Sequence, residues 1–545
     1  MPQTIRIDLI WQSEKYPPPE WPLGEVFTVN ADTQSLYNVV REKSQASSAQ
    51  FWLFWDSRLG NPDTAVIAEI ATTPGDVWHA GLKLGTSGLP TWINFVVPTW
   101  MLNRDPDNDI VSTSWRVSLA ACLVRTEVLI KMGGVHKEFV SLAGAALEMG
   151  HRYISQGVYV RHIPAMIAKS SFIESIKLPL YDELLFIHLR FSRLQFWWSI
   201  FRAVLIGNSS LVSILRAWRK INVPSQPDRD LIYNRSALLE NPHRLEDARV
   251  TVLIPTLERY PYLRVVLDQL RRQTIKPLEI VVVDQTPLEE RDMALAEEFK
   301  DLPLNLIHLD YAGQSTARNV GLQASKGDYI LFIDDDDEIQ NNLIELHLKN
   351  IHQSLAPVSS GYAVEPESGP APYEFTYARI SDVFPTNNTL IRREVLQSSG
   401  LFDLAYDKGQ QADGDLGMRI YLNGTLMSYN PTIEVLHHHA PRGGLRTHKA
   451  RVITAGLSRQ KVMLRRLPHQ TEIYLSLRYF DAHQVREYLW LKVRGTFAIH
   501  SGLPRKIAKL VIGLLILPNT LWKMRQRYKA ATQMFEVYPQ IDYLK

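Results

Sequence analysis

The 545-residue sequence predicts an α/β protein built from two related modules, with a helical linker between them and a helical tail. From residue 248 onward, strand-like apolar runs alternate with amphipathic helix patterns. A second observation is that a stretch near residue 123 matches one near residue 390, and a third is that the remaining segments are basic and helix-like. We therefore divide the chain at 1–170, 171–247, 248–450 and 451–545.

Composition limits the class of protein before any motif is considered. Apolar residues make up 45% and charged residues 21%, and the net charge is +3, which is typical of a globular protein and argues against nucleic acid as a partner. The single cysteine excludes an internal disulfide, and the N-terminal residues lack the pattern of a secretory signal. We expect a cytoplasmic protein, or one held on the inner face of the cytoplasmic membrane.

The module at 248–450 opens with a predicted βαβ unit, since two buried apolar runs flank an amphipathic stretch. Parallel β/α alternation places ligands at the carboxyl ends of the strands, where Asp284 and Asp334 fall. The predicted elements are strands at 250–254, 278–284 and 304–309, a helix at 261–273, and a polar loop followed by a helix that ends at Ala324.

Four consecutive aspartates, Asp334 to Asp337, end the next apolar strand in GDYILFIDDDDEI. An isolated acidic run is most often a solvated turn. Here a strand delivers the carboxylates to the crevice side of a sheet, where a divalent cation would neutralise them and bridge a substrate diphosphate. This context favours a metal site.

The order of five short motifs between residue 248 and about residue 445 resembles a known family. The motifs are IPTLER, VVVDQT, GQSTARNVG, YILFIDDDDE, and GLFD followed by QQADGDLGMRIYLNG. They resemble the inverting, nucleotide-sugar-dependent glycosyltransferases of family 2, whose GT-A fold is a Rossmann-like mixed sheet flanked by helices. The resemblance implies a hexosyltransferase-type enzyme of surface polysaccharide or glycolipid assembly, which moves a sugar from a nucleotide-diphosphate donor to a saccharide or lipid-linked saccharide acceptor.

The resemblance also assigns donor and metal contacts. It places Asp284 against the nucleotide base and Arg318, in the loop before the helix, near the phosphates or ribose. Asp334 lies near the ribose in this assignment, and Asp336 ligates Mn or Mg, with Asp337 in a supporting position. The other predicted donor contacts are Pro255, Thr256, Glu258 and Asp335.

Transfer with inversion is one displacement at the anomeric carbon, so a carboxylate must take the proton of the acceptor hydroxyl. In the family this base is the Asp of a Glu-Asp pair before a helix. The matching segment has Asp413 in that position and Ala412 in place of the Glu. A helix N-cap is the alternative role for Asp413, and Asp415 could stabilise the same first turn.

Other positions depart from the family pattern or leave alternatives open. Leu257 replaces an aromatic residue that usually stacks on the base, so the base preference is not defined by the sequence. His437 matches a histidine that completes the metal shell, although a single histidine is more often structural. Arg442 and Arg446 lie in a loop that either closes over phosphates or is a solvated basic loop.

The first half of the chain matches the second in a long register. LVRTEVLIKMGG at 123–134 aligns with LIRREVLQSSGL at 390–401, and the register continues without a gap to Pro164 and Pro431, which predicts a duplicated fold. In the first module the predicted site is altered, and the region before Phe51 is too short for a βαβ unit. We therefore expect a truncated GT-A-like module without transfer activity. The facing pairs are Asp56 and Asp334, Arg58 and Asp336, Ala146 and Asp413, and Ser170 and His437.

The linker and the tail combine apolar and basic residues. Trp197, Trp198 and Trp218 lie in the core or at a membrane interface, and we favour the core. The segment 505–529 has no acidic residue, and its apolar run is shorter than the roughly 20 residues that span a bilayer. It is either a helix lying on an anionic membrane surface or a helix packed on the protein.

Two other functions remain as alternatives. A processive, polymer-forming transferase is disfavoured because the sequence lacks a transmembrane bundle and the acceptor motif that accompanies one. A non-catalytic scaffold that binds sugar nucleotides or carbohydrate through two GT-A-like modules is the alternative of a different class. The intact carboxylates at 284, 334, 336 and 413 argue against the scaffold.

Overall fold

The computed structural model describes residues 5–167, 176–224, 231–235, 245–365, 369–440, 455–538 and 540–544. By their contacts, the residues group into two compact units. The first unit is Met1–Ser236 with Tyr377–Ile380 and Tyr421–Leu426, and the second is Ala237–Thr376 with Ser381–Ile420 and Met427–Lys545.

The elements up to residue 218 alternate between strands and helices and then become helical. The strands are β1 (Ile7–Gln12), β2 (Val26–Val29), β3 (Phe51–Asp56), β4 (Val77–His79), β5 (Ser112–Thr113), β6 (Ala121–Arg125) and β7 (Val160–His162). The helices are α1 (Thr33–Lys43), α2 (Thr64–Ile70), α3 (Thr126–Met132), α4 (Leu142–Ile154), α5 (Leu180–Arg190), α6 (Arg193–Leu205) and α7 (Leu211–Trp218).

From residue 250 onward the same alternation returns and ends in a helical tail. The strands are β8 (Val250–Thr256), β9 (Glu279–Asp284), β10 (Leu304–His308), β11 (Tyr329–Phe332), β12 (Asp337–Ile339), β13 (Val358–Val364), β14 (Arg379–Ile380), β15 (Thr389–Arg392) and β16 (Met427–His437). The helices are α8 (Tyr260–Arg271), α9 (Leu295–Glu298), α10 (Gln314–Ala324), α11 (Leu343–Ser354), α12 (Arg393–Ser399), α13 (Ala412–Leu422), α14 (Ala455–Gln460), α15 (Gln470–Tyr479), α16 (Ala482–Gly495), α17 (Leu503–Leu515) and α18 (Leu517–Val537).

The sheet of the second unit runs in the order β10-β9-β8-β11-β15-β13-β16-β12. Strands β10, β9, β8 and β11 are mutually parallel, and β15 is antiparallel to both β11 and β13. The central strands are buried on both faces, which explains their continuous apolar sequences. The predicted βαβ unit is confirmed, with element ends displaced by one or two residues.

The described residues of the first unit form a seven-stranded sheet in the order β2-β1-β3-β6-β4-β7-β5. The first six strands of this path repeat the order β9-β8-β11-β15-β13-β16 of the second sheet, with the same parallel and antiparallel neighbours. Helices α3 and α12 occupy positions related by the predicted register. The duplicated fold inferred from the sequence is therefore confirmed.

The region before Phe51 differs from the expectation in one respect. It holds the parallel strands β1 and β2, the counterparts of β8 and β9, although the segment between them, 13–25, contains no helix. Among the described residues of this sheet no strand takes the place of β10, since β2 ends the path. The first module therefore keeps the sheet and lacks the helix that follows β8 in the second.

The helices α5–α7 follow the first sheet, and α5 packs against α4, α6 and α7. The core location favoured for the linker tryptophans is wrong for Trp197, which is 48% exposed, whereas Trp198 and Trp218 are partly buried. Among the described residues, no single helix has the length and apolar character to cross a membrane; α17 and α18 meet that test only when taken together, and they are bent by 64°.

Candidate functional site

Three strands bring the candidate residues to one edge of the second sheet. Strand β11 leads through Ile333 into the four aspartates, and β8 and β9 end beside it at Thr256 and Asp284, which are paired in register. Because these strands are parallel, their carboxyl ends lie at the same edge.

Cations of the chain offset the charge of the aspartates. The Arg318 guanidinium donates to Asp334 Oδ1 at 3.0 Å, and the Arg259 guanidinium donates to Asp335 Oδ1 at 2.9 Å. The imidazole Nδ1 of His437 lies 2.9 Å from Asp337 Oδ1. Each partner comes from a different element, so the acidic run is neutralised by its surroundings and not by solvent alone.

Asp335 fastens β11 to the end of β8. Its Oδ2 accepts a hydrogen bond from Thr256 Oγ1 at 2.8 Å, while Arg259 binds the other oxygen. Burial raises the pKa of Asp335 to about 6, against the opposing effect of Arg259. The predicted donor-binding residues Thr256 and Asp335 thus bind each other in this structure.

Asp334, Asp336 and His437 form a group that can hold a metal ion. Each offers one ligand atom, and these atoms lie within 4.8 Å of one another. Asp336 Oδ2 accepts the N–H of Ala440 at 2.7 Å, whereas its buried Oδ1 has no hydrogen-bond partner among the described residues. The Arg259 guanidinium lies 3.3 Å from this oxygen as an ion pair. Two carboxylates and an imidazole fit a divalent cation.

The surroundings of His437 favour its charged form. Burial lowers the pKa of His437, but the hydrogen bond to Asp337 and the charges of the neighbouring aspartates outweigh burial and raise it. Asp337 also accepts the N–H of Asp334 at 2.9 Å, so it orients both the histidine and the acidic turn. A carboxylate that orients a metal-binding histidine is common around metal ions.

Asp284, at the end of β9, has a set of polar partners distinct from those of the four aspartates. Its Oδ2 accepts a hydrogen bond from the Tyr260 hydroxyl at 2.7 Å and lies 3.4 Å from His308 Nδ1. Its Oδ1 accepts the N–H of Thr286 at 3.0 Å. The carboxylate is buried, so Tyr260 and His308 are the groups through which a ligand would approach it.

Arg318 lies on α10, so its predicted position in the loop before that helix is wrong. The helix begins at Gln314 because Asp407 accepts hydrogen bonds from both the N–H and the hydroxyl of Thr316, which satisfies donors of the first turn. Arg318 is buried, and its Nε has no partner among the described residues. It therefore keeps one donor available beside Asp334.

Pro255 and Glu258 frame the turn after β8. Pro255 is partly buried within the strand, and Glu258 is exposed with a positive φ of 59°, an uncommon conformation for a residue other than glycine. The N–H of Glu258 donates to Thr286 Oγ1 at 3.0 Å, which ties this turn to the end of β9. Such backbone strain is often found at binding sites.

Asp413 is the second residue of α13 and is partly buried. Its Oδ1 accepts the N–H of Gly414 at 2.9 Å, and Asp413 lies in the first turn of the helix, which begins at Ala412. Asp415 is fully buried in contact with Arg419 and Tyr479.

Gln314 links the segment before α13 to the acidic run. Its side-chain amide donates to the carbonyl of Tyr406 at 2.8 Å and contacts the carbonyl of Gly409. Its Oε1 lies 3.3 Å from the Arg318 guanidinium, which binds Asp334. Asp413 therefore follows a segment that is anchored to the candidate metal site.

Several site residues were not identified from the sequence. Tyr260 and His308 have no motif signal, and Arg259 is the last residue of the IPTLER motif but received no role, because the partner of each residue lies far away in the chain. Arg442 and Arg446 lie outside the described residues.

Comparison with known proteins identifies the family of this region. Residues 251–398 match the model of the family described as "Glycosyl transferase family 2". The chain is 34% identical over 119 residues to "Glycosyltransferase GlyA" of Streptococcus pneumoniae serotype 4, covering 22% of this chain and 17% of that protein. It is 34% identical over 99 residues to "Uncharacterized glycosyltransferase EpsJ" of Bacillus subtilis, covering 18% of this chain and 28% of that protein. The chain thus spans less than a third of either relative.

Solved structures show more distant similarity. The mannosyltransferase PcManGT from Pyrobaculum calidifontis, in complex with GDP-Man and Mn²⁺, matches with a TM-score of 0.37 and 18% identity over 61% of this chain and 96% of that one. Staphylococcus aureus TarS matches with a TM-score of 0.32 and 17% identity over 44% of this chain and 41% of that one. The family match confirms the predicted resemblance to family 2 over residues 251–398, and the mixed sheet of the second unit agrees with the predicted α/β GT-A class.

Proposed function

We propose that this chain, whose residues 251–398 form a family 2 glycosyl transferase domain, moves a sugar from a nucleotide-diphosphate donor to an acceptor hydroxyl with inversion. The observation that carries the proposal is the group of Asp334, Asp336 and His437, with one buried Asp336 oxygen lacking a hydrogen bond among the described residues. The group lies where parallel strands end, which is the usual ligand position in such sheets.

The metal of this proposal is Mn or Mg. Both accept carboxylate oxygens, and the imidazole of His437 favours Mn, because Mg takes oxygen ligands almost exclusively. When bound, the ion neutralises the diphosphate that leaves the sugar. Asp337 holds His437 through a 2.9 Å contact to Nδ1.

The nucleotide-sugar donor would contact residues on both sides of the candidate metal ligands. Asp284, Tyr260 and His308, which contact one another through Asp284, offer an aromatic ring and polar atoms for the nucleotide base. Arg318, with one N–H of its guanidinium unpaired among the described residues, suits the phosphates or the ribose.

Asp413 is the proposed base. It takes the proton of the acceptor hydroxyl while the acceptor oxygen forms a bond to the anomeric carbon and the bond from that carbon to the diphosphate breaks. Its partly buried position at the start of α13, beyond the segment held by Gln314, suits a carboxylate that meets a second substrate.

We place this reaction on the inner face of the cytoplasmic membrane, with a saccharide or lipid-linked saccharide acceptor, in polysaccharide or glycolipid assembly. The support is the segment 505–529, which has basic residues and no acidic ones. Leu514, Leu515 and Trp522 on this segment are exposed, at 56%, 75% and 60%. Exposed apolar side chains with flanking cations are typical of helices that lie on anionic membranes.

The first unit is proposed to lack transfer activity. Its Asp56 is bound by the Arg58 guanidinium at 2.7 Å, and Arg58 stands where Asp336 stands in the second unit. A cation in that position opposes the binding of a metal ion.

Calorimetric binding of a panel of nucleoside diphosphates, with and without Mn²⁺, tests the proposal. Wild-type protein should bind one or more of them only with the metal, and Asp336→Asn should weaken binding at least about 100-fold. Asp56→Asn is the matched control and should bind like wild type. Absence of nucleotide binding to the folded wild-type protein would instead favour the non-catalytic scaffold.

A further inference from the structure

Helices α6 and α7 of the first unit present an apolar face to solvent. On α6 the exposed side chains follow helical spacing, with Trp197 48%, Phe201 54% and Leu205 60% accessible. Leu194 and, on α7, Leu211 and Val212 extend the same exposed set. A contiguous apolar surface of this kind on a folded protein usually marks an interaction site.

The opposite face of α6 already packs against the protein. Phe196, Ile200 and Ala203 are buried, so the helix has two apolar stripes and uses only one of them internally. The exposed stripe therefore contributes nothing to the core of this unit, and its sequence needs another explanation.

Charge distinguishes among the partners that could cover this face. The segment 193–220 contains no acidic residue. Its exposed cations are Arg193, at the start of α6, Arg216 on α7, and Arg219 and Lys220 after α7. A second copy of this chain would bring the same cations against them, which is unfavourable. An anionic surface meets both the charge and the apolar character.

The aromatic residues also suit a bilayer boundary. The rings of Trp197 and Trp218 are in edge contact, with centroids 5.3 Å apart, and connect α6 to α7. Tryptophan is enriched at the level of lipid headgroups, where an apolar ring and a polar N–H are both accommodated. Helices of 13 and 8 residues are too short to span the hydrocarbon layer, so they would lie along the surface.

We propose that α6 and α7 form a docking surface for an anionic lipid bilayer, with Trp197, Phe201 and Leu205 entering the boundary between headgroups and acyl chains. This surface is independent of the transfer reaction and separate in sequence from the contact proposed at 505–529. The first unit, which lacks the candidate metal site, then contributes to the enzyme by holding it at the membrane.

Site-specific fluorescence on the full chain tests the docking surface. The only natural cysteine, Cys122, is buried, so an introduced cysteine can be labelled selectively with an environment-sensitive dye. The probe position is Phe201→Cys. Glu42→Cys, on the exposed side of α1 in the same unit, is the matched control, and Leu514→Cys reports the contact at 505–529.

Vesicles of phosphatidylglycerol should shift the emission of the dye at position 201 to the blue and increase it several-fold. The dye at position 42 should not respond, and neutral phosphatidylcholine vesicles should have little effect. A response at 514 without one at 201 would overturn the docking surface alone. A response at 201 without one at 514 would support it and refute the membrane contact at 505–529.

A second measurement removes the apolar face without touching the candidate site. Phe201→Ser combined with Leu205→Ser should lower the partition coefficient for phosphatidylglycerol vesicles at least about tenfold. Nucleotide binding in the presence of Mn²⁺ should not change. An unchanged partition coefficient in a folded double variant would refute the proposal. A blue shift at position 201 that appears at high protein concentration without vesicles would also refute it, because it would identify a contact between copies of the chain.

Discussion

The two sheets of this chain share a framework down to individual contacts. Arg152 on α4 contacts the carbonyl of Met132, donates to that of Gly134, and binds Glu148 on its own helix. Arg419 on α13 makes the corresponding contacts to Ser399, Leu401 and Asp415. Each pair of positions is related by the register that the sequence predicted. Duplication thus retained the polar contacts that fix α4 to the end of α3 and α13 to the end of α12.

The two units differ at the carboxyl ends of two corresponding strands, β3 in the first unit and β11 in the second. In the first unit, Arg58 and Asp56 form a bidentate pair two residues apart, which closes the end of β3 on itself. In the second unit, the cations come from the residue before α8, from α10 and from β16, and Asp336 Oδ1 has an ion-pair contact of 3.3 Å with Arg259 but no hydrogen bond among the described residues. The corresponding strand ends therefore support either a local ion pair or a cluster of carboxylates that is neutralised by cations from remote parts of the chain.

The largest expected effect on activity comes from placing the arginine found at position 58 of the first unit at the corresponding position, 336, of the second unit. Asp336→Arg should abolish metal-dependent activity, a loss of at least about 10³-fold, because a guanidinium replaces a ligand and repels the ion. Activity is measured as metal-dependent hydrolysis or transfer of the donor identified by calorimetry. Asp56→Arg changes the first unit, where the aspartate is already paired with Arg58, and should retain activity within about twofold. Equal losses of activity in both variants would mean that the region of Asp56 contributes to the reaction as much as the region of Asp336.

The next effect concerns the proposed base, which has a buried alanine, Ala146, as its counterpart in the first unit. Asp413→Asn should lower kcat by about 10² to 10³-fold with nucleotide affinity unchanged, since the amide cannot take a proton. The measurement is kcat for transfer, together with nucleotide affinity by calorimetry. A variant that loses nucleotide affinity and keeps kcat would assign Asp413 to binding instead.

The shared framework predicts a matched pair of stability changes. Arg419→Ala and Arg152→Ala should each lower the free energy of unfolding by about 3 kcal/mol, because each leaves a buried carboxylate with a weaker partner. Those remaining partners are Arg478 at 3.4 Å from Asp415 and Arg190 at 3.9 Å from Glu148. Urea unfolding of each variant provides the measurement, and Arg41→Ala on the surface should change it by less than about 0.5 kcal/mol. A large effect in only one unit would contradict a shared framework.

The smallest effect is a pH dependence to which a buried histidine of each unit, His79 and His347, contributes. Burial lowers the pKa of His79 to about 3 and that of His347 to about 4, from 6.5. The folded state excludes a proton that the unfolded state binds, so this stability is present above pH 6.5 and is lost as pH falls. From pH 7.5 to 5.5 each histidine should cost about 1.4 kcal/mol. Urea unfolding of His79→Gln and His347→Gln should show a smaller loss than wild type over this interval; an identical loss would contradict the assignment.

Much of the second unit could be predicted from sequence because its signals are local. Apolar runs and the strand-end position of Asp334 are visible in short windows, and so is the register between residues 123 and 390. The helix at Arg318 was missed because its start depends on Asp407, which is remote in sequence.

The cations that neutralise the four aspartates were not identified from the sequence for a similar reason. Arg259 binds Asp335 across 76 positions of the chain, and although both residues lie in motifs, neither motif indicates that the two side chains form a pair. The exposure of Trp197 was missed because a helix with two apolar stripes has the composition of a buried helix, and only the fold shows which stripe is covered.

The most direct test of the central claim is a count of manganese sites on the full chain, from the electron paramagnetic resonance signal of free Mn²⁺ during titration. We predict one manganese site per chain, which Asp336→Asn removes and Asp56→Asn leaves intact. A second site that depends on Asp56, or a site that persists in folded Asp336→Asn protein, would contradict it.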